Sequence, residues 1–112
     1  EMQWVHSHHI HSGEYFHGPF EITDYDVPFL VVRSNGKTKY LDDRALDFVK
    51  KYSEMVYVVD TNEFDYKGVD EDIQEYFGGI IAGKILRDFA ERLADHRGHP
   101  MSVRRYMWRM KY

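Results

Sequence analysis

Residues 28–60 read PFLVVRSNGKTKYLDDRALDFVKKYSEMVYVVD, and their pattern decides the fold class. Pro28–Ser34 is a short, nearly continuous apolar run that ends in Ser34-Asn35-Gly36. Such a run suits a strand buried on both faces of a parallel sheet. Thr38 stands where an N-cap is needed, and Leu41, Ala45, Phe48, Val49 and Tyr52 recur at helical spacing. Met55–Asp60 (MVYVVD) reads as a second buried strand. Strand, helix and strand with short joints make one right-handed βαβ unit, the building block of a doubly wound α/β sheet. Two strands are too few for such a sheet, which needs cover on both faces, so further strands are expected upstream.

Upstream of this unit, Gly13 to Ile22 is expected to form a short helix with Pro19 in its first turn, followed by a turn at Asp24-Tyr25-Asp26. Downstream, the acidic connector NEFDYKGVDED leads into a long helix from about Ile73 to His96. Its apolar stripe, Ile73, Phe77, Ile81, Ile85, Phe89 and Leu93, keeps a spacing of four. Gly78, Gly79 and Gly83 interrupt this helix at a cost of roughly 0.5–1 kcal/mol each relative to Ala. Two explanations stand side by side: close packing against a neighbouring helix, and subunit contact. Gly98-His99-Pro100 ends the helix, and the tail PMSVRRYMWRMKY carries enough aromatic and Met residues to pack down.

Composition narrows the function classes. At 112 residues the chain is one domain at most, and 43% apolar with 16% aromatic residues marks a folded one. A net charge of −4 gives no reason to expect nucleic acid. Basic residues gather near the end, at Arg97, Arg104, Arg105, Arg109 and Lys111, an asymmetry that fits an anionic small molecule or an intramolecular contact. The sequence has no cysteine, which removes disulfides and thiolate zinc sites and makes a reducing cytoplasm the default. No apolar run approaches membrane-spanning length, and the first residues lack the pattern of a signal peptide. Glu1 opens directly on a dense stretch with no initiator Met, so the chain is expected to be a piece of a longer protein.

That opening stretch holds His6, His8, His9 and His11, with His17 just before Gly18-Pro19. On a strand His9 and His11 share one face while His6 and His8 share the other; on a helix only residues three or four apart align. A dedicated zinc site would also need a carboxylate or a distant His at about 2.0–2.2 Å with partners behind it, and nothing in the sequence specifies one. The expectation is no metal, with these four histidines solvated, packed or binding zinc adventitiously. His17 differs, because a constrained turn can hold its imidazole at a fixed angle, and an imidazole exchanges protons near neutrality. The alternative is a histidine satisfied by backbone in that turn.

The segment GEYFHGPFEITDYDVPFLVV resembles the sugar isomerase (SIS) domain enzymes, among them the isomerase half of glucosamine-6-phosphate synthase. In that family a catalytic glutamate lies sixteen residues before the His of His-Gly-Pro, and here that position is Glu1. The phrases EYFHGPFEI, RALDFVKKY and RRY are most similar to the fructosamine 6-phosphate deglycases, whereas a synthase tail with its catalytic lysine is lacking. The resemblance implies a three-layer αβα sandwich with a parallel sheet, incomplete here. Residues 1–112 would be the C-terminal part of the second of two SIS domains, with a tail from about 99–112. It also implies a homodimer in which the His-Gly-Pro histidine completes the neighbour's active site.

By the same resemblance the substrate is a phosphorylated sugar-amine, an Amadori compound, and no cofactor is called for. Glu1 is the expected base at C1, and His17 the group that moves the ring hydroxyl proton. Glu14, a rival acid, reads as a structural carboxylate at a helix start. Arg104 and Arg105 are candidates to contact the phosphate or the sugar hydroxyls, with a surface or ion-pair role as the alternative. Trp4, Phe16, Phe20 and Trp108 read as core or interface residues. Competing readings are an aldose–ketose isomerase or synthase-like domain, a non-catalytic sugar-phosphate-sensing SIS module, and a metal binder. The phosphate-gripping Ser/Thr-rich loop has no counterpart here, so these residues alone are expected to be inactive and prone to association or swapping.

Overall fold

The computed structural model describes residues 3–111. Two compact units divide the chain: a sheet unit, His9–Ala82, and a terminal unit that joins the residues up to His8 with those from Gly83 onward.

The sheet unit is built on the expected βαβ pattern. Strand β1 (Phe29–Arg33) runs parallel to β2 (Val56–Asp60), with Phe29 opposite Val56 and Arg33 opposite Asp60. Helix α1 (Lys39–Tyr52) makes the crossover and buries Ala45, Leu46 and Val49. These three join Tyr15 in a core flanked by Phe16, Phe20, Phe29, Val31, Phe48 and Val56. Burial along β1 alternates, and Leu30, Val32, Tyr57 and Val58 are exposed. The expectation of strands buried on both faces is therefore corrected for this chain: α1 covers one face and leaves the other open. Thr38 does precede α1, but its hydroxyl does not cap it; the first turn is anchored instead by Lys39 N–H donating to the Gly36 carbonyl at 3.1 Å.

Gly13 to Ile22 is not one helix. Two short 3-10 turns, Tyr15–His17 and Pro19–Ile22, meet at Gly18, whose φ of 132° no helix can include. Pro19 starts the second turn, where its missing N–H costs nothing.

Helix α2 (Glu71–His96) begins within two residues of its expected start, and its early part belongs to the sheet unit. Its buried positions there are Gly78 and Ala82, while Ile73, Phe77 and Ile80 face outward. Gly78 lies against strand ends and not against a helix: a Cβ on it would sit 2.6 Å from Asn35 Oδ1 and 3.2 Å from Thr61 Cβ. Gly79 and Gly83 have open space where a Cβ would go. Among the described residues, then, only Gly78 has a steric reason to be glycine, and it is strand ends that supply it.

In the terminal unit, the rest of α2 ends at His96, and Gly98 reverses the chain at a φ of 58°. The start of the tail does pack down. Gln3 is 3% exposed; its Nε2 donates to the His99 carbonyl at 3.0 Å, and Arg97 donates to the Gln3 carbonyl at 2.5 Å. From Arg105 onward the described residues are exposed, with Trp108 at 79%.

Candidate active site

His17 is the last residue of the first 3-10 turn, and its imidazole is exposed. Its backbone is pinned by its own N–H donating to the Glu14 carbonyl at 3.0 Å. The side chains around it fix the turn to the core. Tyr15 is buried and its hydroxyl bonds that of Thr23. Phe16 and Phe20 each meet the Phe48 ring edge-on, at 5.4 and 5.8 Å, and the Arg44 guanidinium lies 4.1 Å from the Phe16 ring centre. Aromatic pairs of this kind contribute about 0.5–1.5 kcal/mol each beyond their burial. A solvent-facing imidazole thus stands on a turn whose other side chains are locked.

A second tie comes from Asp42 on α1, which accepts from the Ser12 hydroxyl at 2.5 Å and from the Ser34 N–H at 2.9 Å. One carboxylate therefore joins the segment before His17 to the end of β1. His11, itself exposed, closes onto the same segment, its Nδ1 accepting from the Gly13 N–H at 3.1 Å. That contact leaves the lone pair of Nδ1 engaged and makes His11 a loop brace. Among the described residues no group of three or more His, Asp or Glu is placed to hold a metal ion. Glu14 precedes a turn of only three residues and makes no side-chain cap, so the expected helix-start role has no long helix to act on.

At the carboxyl ends of β1 and β2, Arg33 bridges Asp43, at 2.5 Å, and Asp60. Lys39 adds a second cation to Asp43 at 2.6 Å. The paired carboxylates keep the Arg33 guanidinium protonated far above its ordinary range. Burial pushes the Asp60 carboxyl up, but hydrogen bonds from Asn62 and Arg33 outweigh it and hold the group at about 2. Hydrogen bonds from Arg33, then from Lys39, likewise lower Asp43.

Beyond this ion network lies a cleft of about 590 Å³, lined by Asn35 and Asn62 from the strand ends and by Glu71 and Glu75 from α2, with Lys37 and Tyr66. Sequence reasoning missed these residues. The available signal was positional: ligands of open α/β sheets bind outside the carboxyl ends of the strands, which is where Ser34–Gly36 and Thr61–Asn62 fall.

Of the expected site residues, Glu1 lies outside the described residues. His17 is in the sheet unit, and Arg104 and Arg105 are in the terminal unit. The last two are brought together with Trp4 and His6 around a second cleft of about 530 Å³.

Over all 112 residues the chain is 46% identical to fructosamine deglycase FrlB of Bacillus subtilis (strain 168). The chain is homologous to the fructosamine deglycases. It is also 29% identical, over 95% of its length, to fructoselysine 6-phosphate deglycase of Escherichia coli O157:H7. The crystal structure of a protein described as a phosphosugar isomerase from Bacillus subtilis matches all of this chain with a TM-score of 0.95 and 46% identity. One from Salmonella typhimurium LT2 does so at 0.91 and 44%. The α/β fold is thus that of these phosphosugar isomerase structures, and the resemblance carried by the His-Gly-Pro segment agrees with these homologues. The chain spans about a third of the length of the relatives it matches, 34% and 30% of the two deglycases and 34% and 35% of the two crystal chains. No family model matches. No helix of the described residues is long and apolar enough to cross a membrane.

Proposed function

We propose that this chain is part of a phosphosugar-processing enzyme of the SIS type that cleaves a fructosamine 6-phosphate to glucose 6-phosphate and a free amine. The end-to-end identity of 46% with a fructosamine deglycase is the observation that carries the reading. The exposed imidazole of His17 on an anchored turn supports it chemically.

The cyclic ketosamine first opens, with His17 moving the proton of the ring hydroxyl. Glu1 as carboxylate then takes a proton from C1, beside the C2 carbonyl, giving an enolamine. Return of a proton to C2 leaves the imine at C1. Water adds to that imine, the C–N bond breaks, and the amine departs with the proton it needs, leaving the aldehyde of glucose 6-phosphate. Carbon acidity beside a carbonyl makes these steps possible where fixed dipoles stabilise the developing charge. Arg104 and Arg105 serve the phosphate or hydroxyls of the substrate. The active protein is a cytoplasmic homodimer in which the His-Gly-Pro segment completes the neighbouring site, and residues 1–112 alone are inactive.

The test is product identity. The whole protein, given fructoselysine 6-phosphate, is expected to release glucose 6-phosphate and lysine in equal amounts. Interconversion of glucose 6-phosphate and fructose 6-phosphate without amine release would instead mark an isomerase, and saturable binding of sugar phosphate with no turnover would mark a sensing module.

A further inference from the structure

The cleft of the terminal unit is lined by Trp4, His6 and Ser7 from the N-terminal segment and by Arg104, Arg105 and Tyr106 from the tail. Its charge is one-sided. Two guanidiniums and an imidazole line it, and none of the described lining residues is acidic, in a chain whose net charge is −4. Neither arginine has a carboxylate partner among the described residues, so the cationic charge here is not spent on an ion pair.

Both guanidiniums are nevertheless held in place. Arg105 lies over the Trp4 ring, 4.2 Å from its centre. Trp4 is itself backed by the His99 ring at 4.3 Å, edge to face. Arg104 spends one terminal nitrogen on the carbonyls of Met101 and Val103 and stands 5.4 Å from the Trp108 ring. Its Nε–H is buried and has no acceptor among the described residues. An arginine seated on an aromatic face keeps its outer edge for other acceptors, and its planar fork matches an oxyanion with two parallel hydrogen bonds. Holding that fork in advance removes part of the ordering cost that binding would otherwise carry.

We infer that this cleft is a binding site for the oxyanion of a small organic ligand, a phosphate monoester or a carboxylate. Arg104 and Arg105 are its donors, His6 the adjoining polar group and Trp4 the plate that fixes Arg105. This deepens the assignment of the two arginines made under the proposed function. It draws only its choice of probes from that reading, and binding is read without turnover, so either can fail while the other stands.

The experiment is a titration of ¹⁵N-labelled protein with inorganic phosphate, glucose 6-phosphate, acetate and glucose. The Trp4 indole N–H and the Nε–H groups of Arg104 and Arg105 are followed by NMR. Saturable shifts of these three signals with at least one anion, and none with glucose, are expected. Response to the phosphates alone assigns the site to a phosphoryl group, and response to acetate alone to a carboxylate. Arg105→Gln is expected to weaken binding about tenfold or more, and Arg105→Lys, which keeps the charge without the fork, by less. No saturable shift with any anion, an equal response to glucose, or unchanged affinity in Arg105→Gln overturns the inference.

Discussion

At the residue scale, His17 depends on its neighbour Gly18. The φ of 132° and ψ of −46° at Gly18 let two 3-10 turns meet without forming a helix, and this leaves His17 at a turn end facing solvent. A Cβ there would meet no atom within 4 Å, so the objection to a side chain is conformational and not steric. Gly18→Ala is accordingly expected to cost about 1–2 kcal/mol in urea unfolding, the usual penalty for such backbone geometry. Parity with the parent protein would mean that the turn is not held as described. Asp60 gives a second residue-level prediction. Its carboxyl sits at about 2, below the ordinary carboxylate value, so the unfolded chain takes up protons before the folded one does. The stabilisation is fully present above the unfolded value near pH 4 and is lost as pH falls toward about 2. Unfolding free energies measured across that window should therefore fall less steeply in Asp60→Asn than in the parent; identical slopes would contradict the pairing. The turn that carries His17 was legible in the sequence because Gly-Pro marks a constrained turn. The Arg33, Asp43 and Asp60 network was not, since its members come from three elements and no local pattern joins them.

At the element scale, α2 separates two effects that the sequence shows as one. Gly78, Gly79 and Gly83 look alike in sequence, yet only Gly78 is pressed against Asn35 and the buried Thr61. Gly79→Ala and Gly83→Ala should each stabilise by about 0.5–1 kcal/mol through helix propensity. Gly78→Ala should destabilise despite the same gain, because Thr61 cannot yield. Stabilisation by all three substitutions would remove the steric role of Gly78. The βαβ unit was legible because apolar runs and helical spacing are local signals, and β1, α1 and β2 fall where they were expected. The stripe of α2 misled for a physical reason. A spacing of four identifies an apolar face without saying what covers it, and among the described residues Gly78, Ala82 and Ala94 are the buried positions of α2. The region around Gly13–Ile22 misled because Pro19 also suits the first turn of a helix, whereas the turn at Gly18 breaks the segment into two 3-10 turns.

At the scale of the whole molecule, the kinship with the deglycases was legible and the completed site was not. The His-Gly-Pro segment and the tail motif pointed to the deglycases, and identity over the full 112 residues agrees. A catalytic constellation, however, is assembled from segments far apart in sequence, and this chain spans about a third of its relatives. Leu30, Val32, Tyr57 and Val58 leave one face of the sheet uncovered among the described residues. The most direct test is therefore made on the whole protein. Turnover of fructoselysine 6-phosphate to glucose 6-phosphate and lysine should be measured for the parent, Glu1→Gln and His17→Asn, with binding of glucose 6-phosphate followed in parallel. Proton transfer by these two residues predicts a fall in kcat of about 10²–10⁴-fold in each variant, with product binding retained. Parent-like rates in either variant would contradict it.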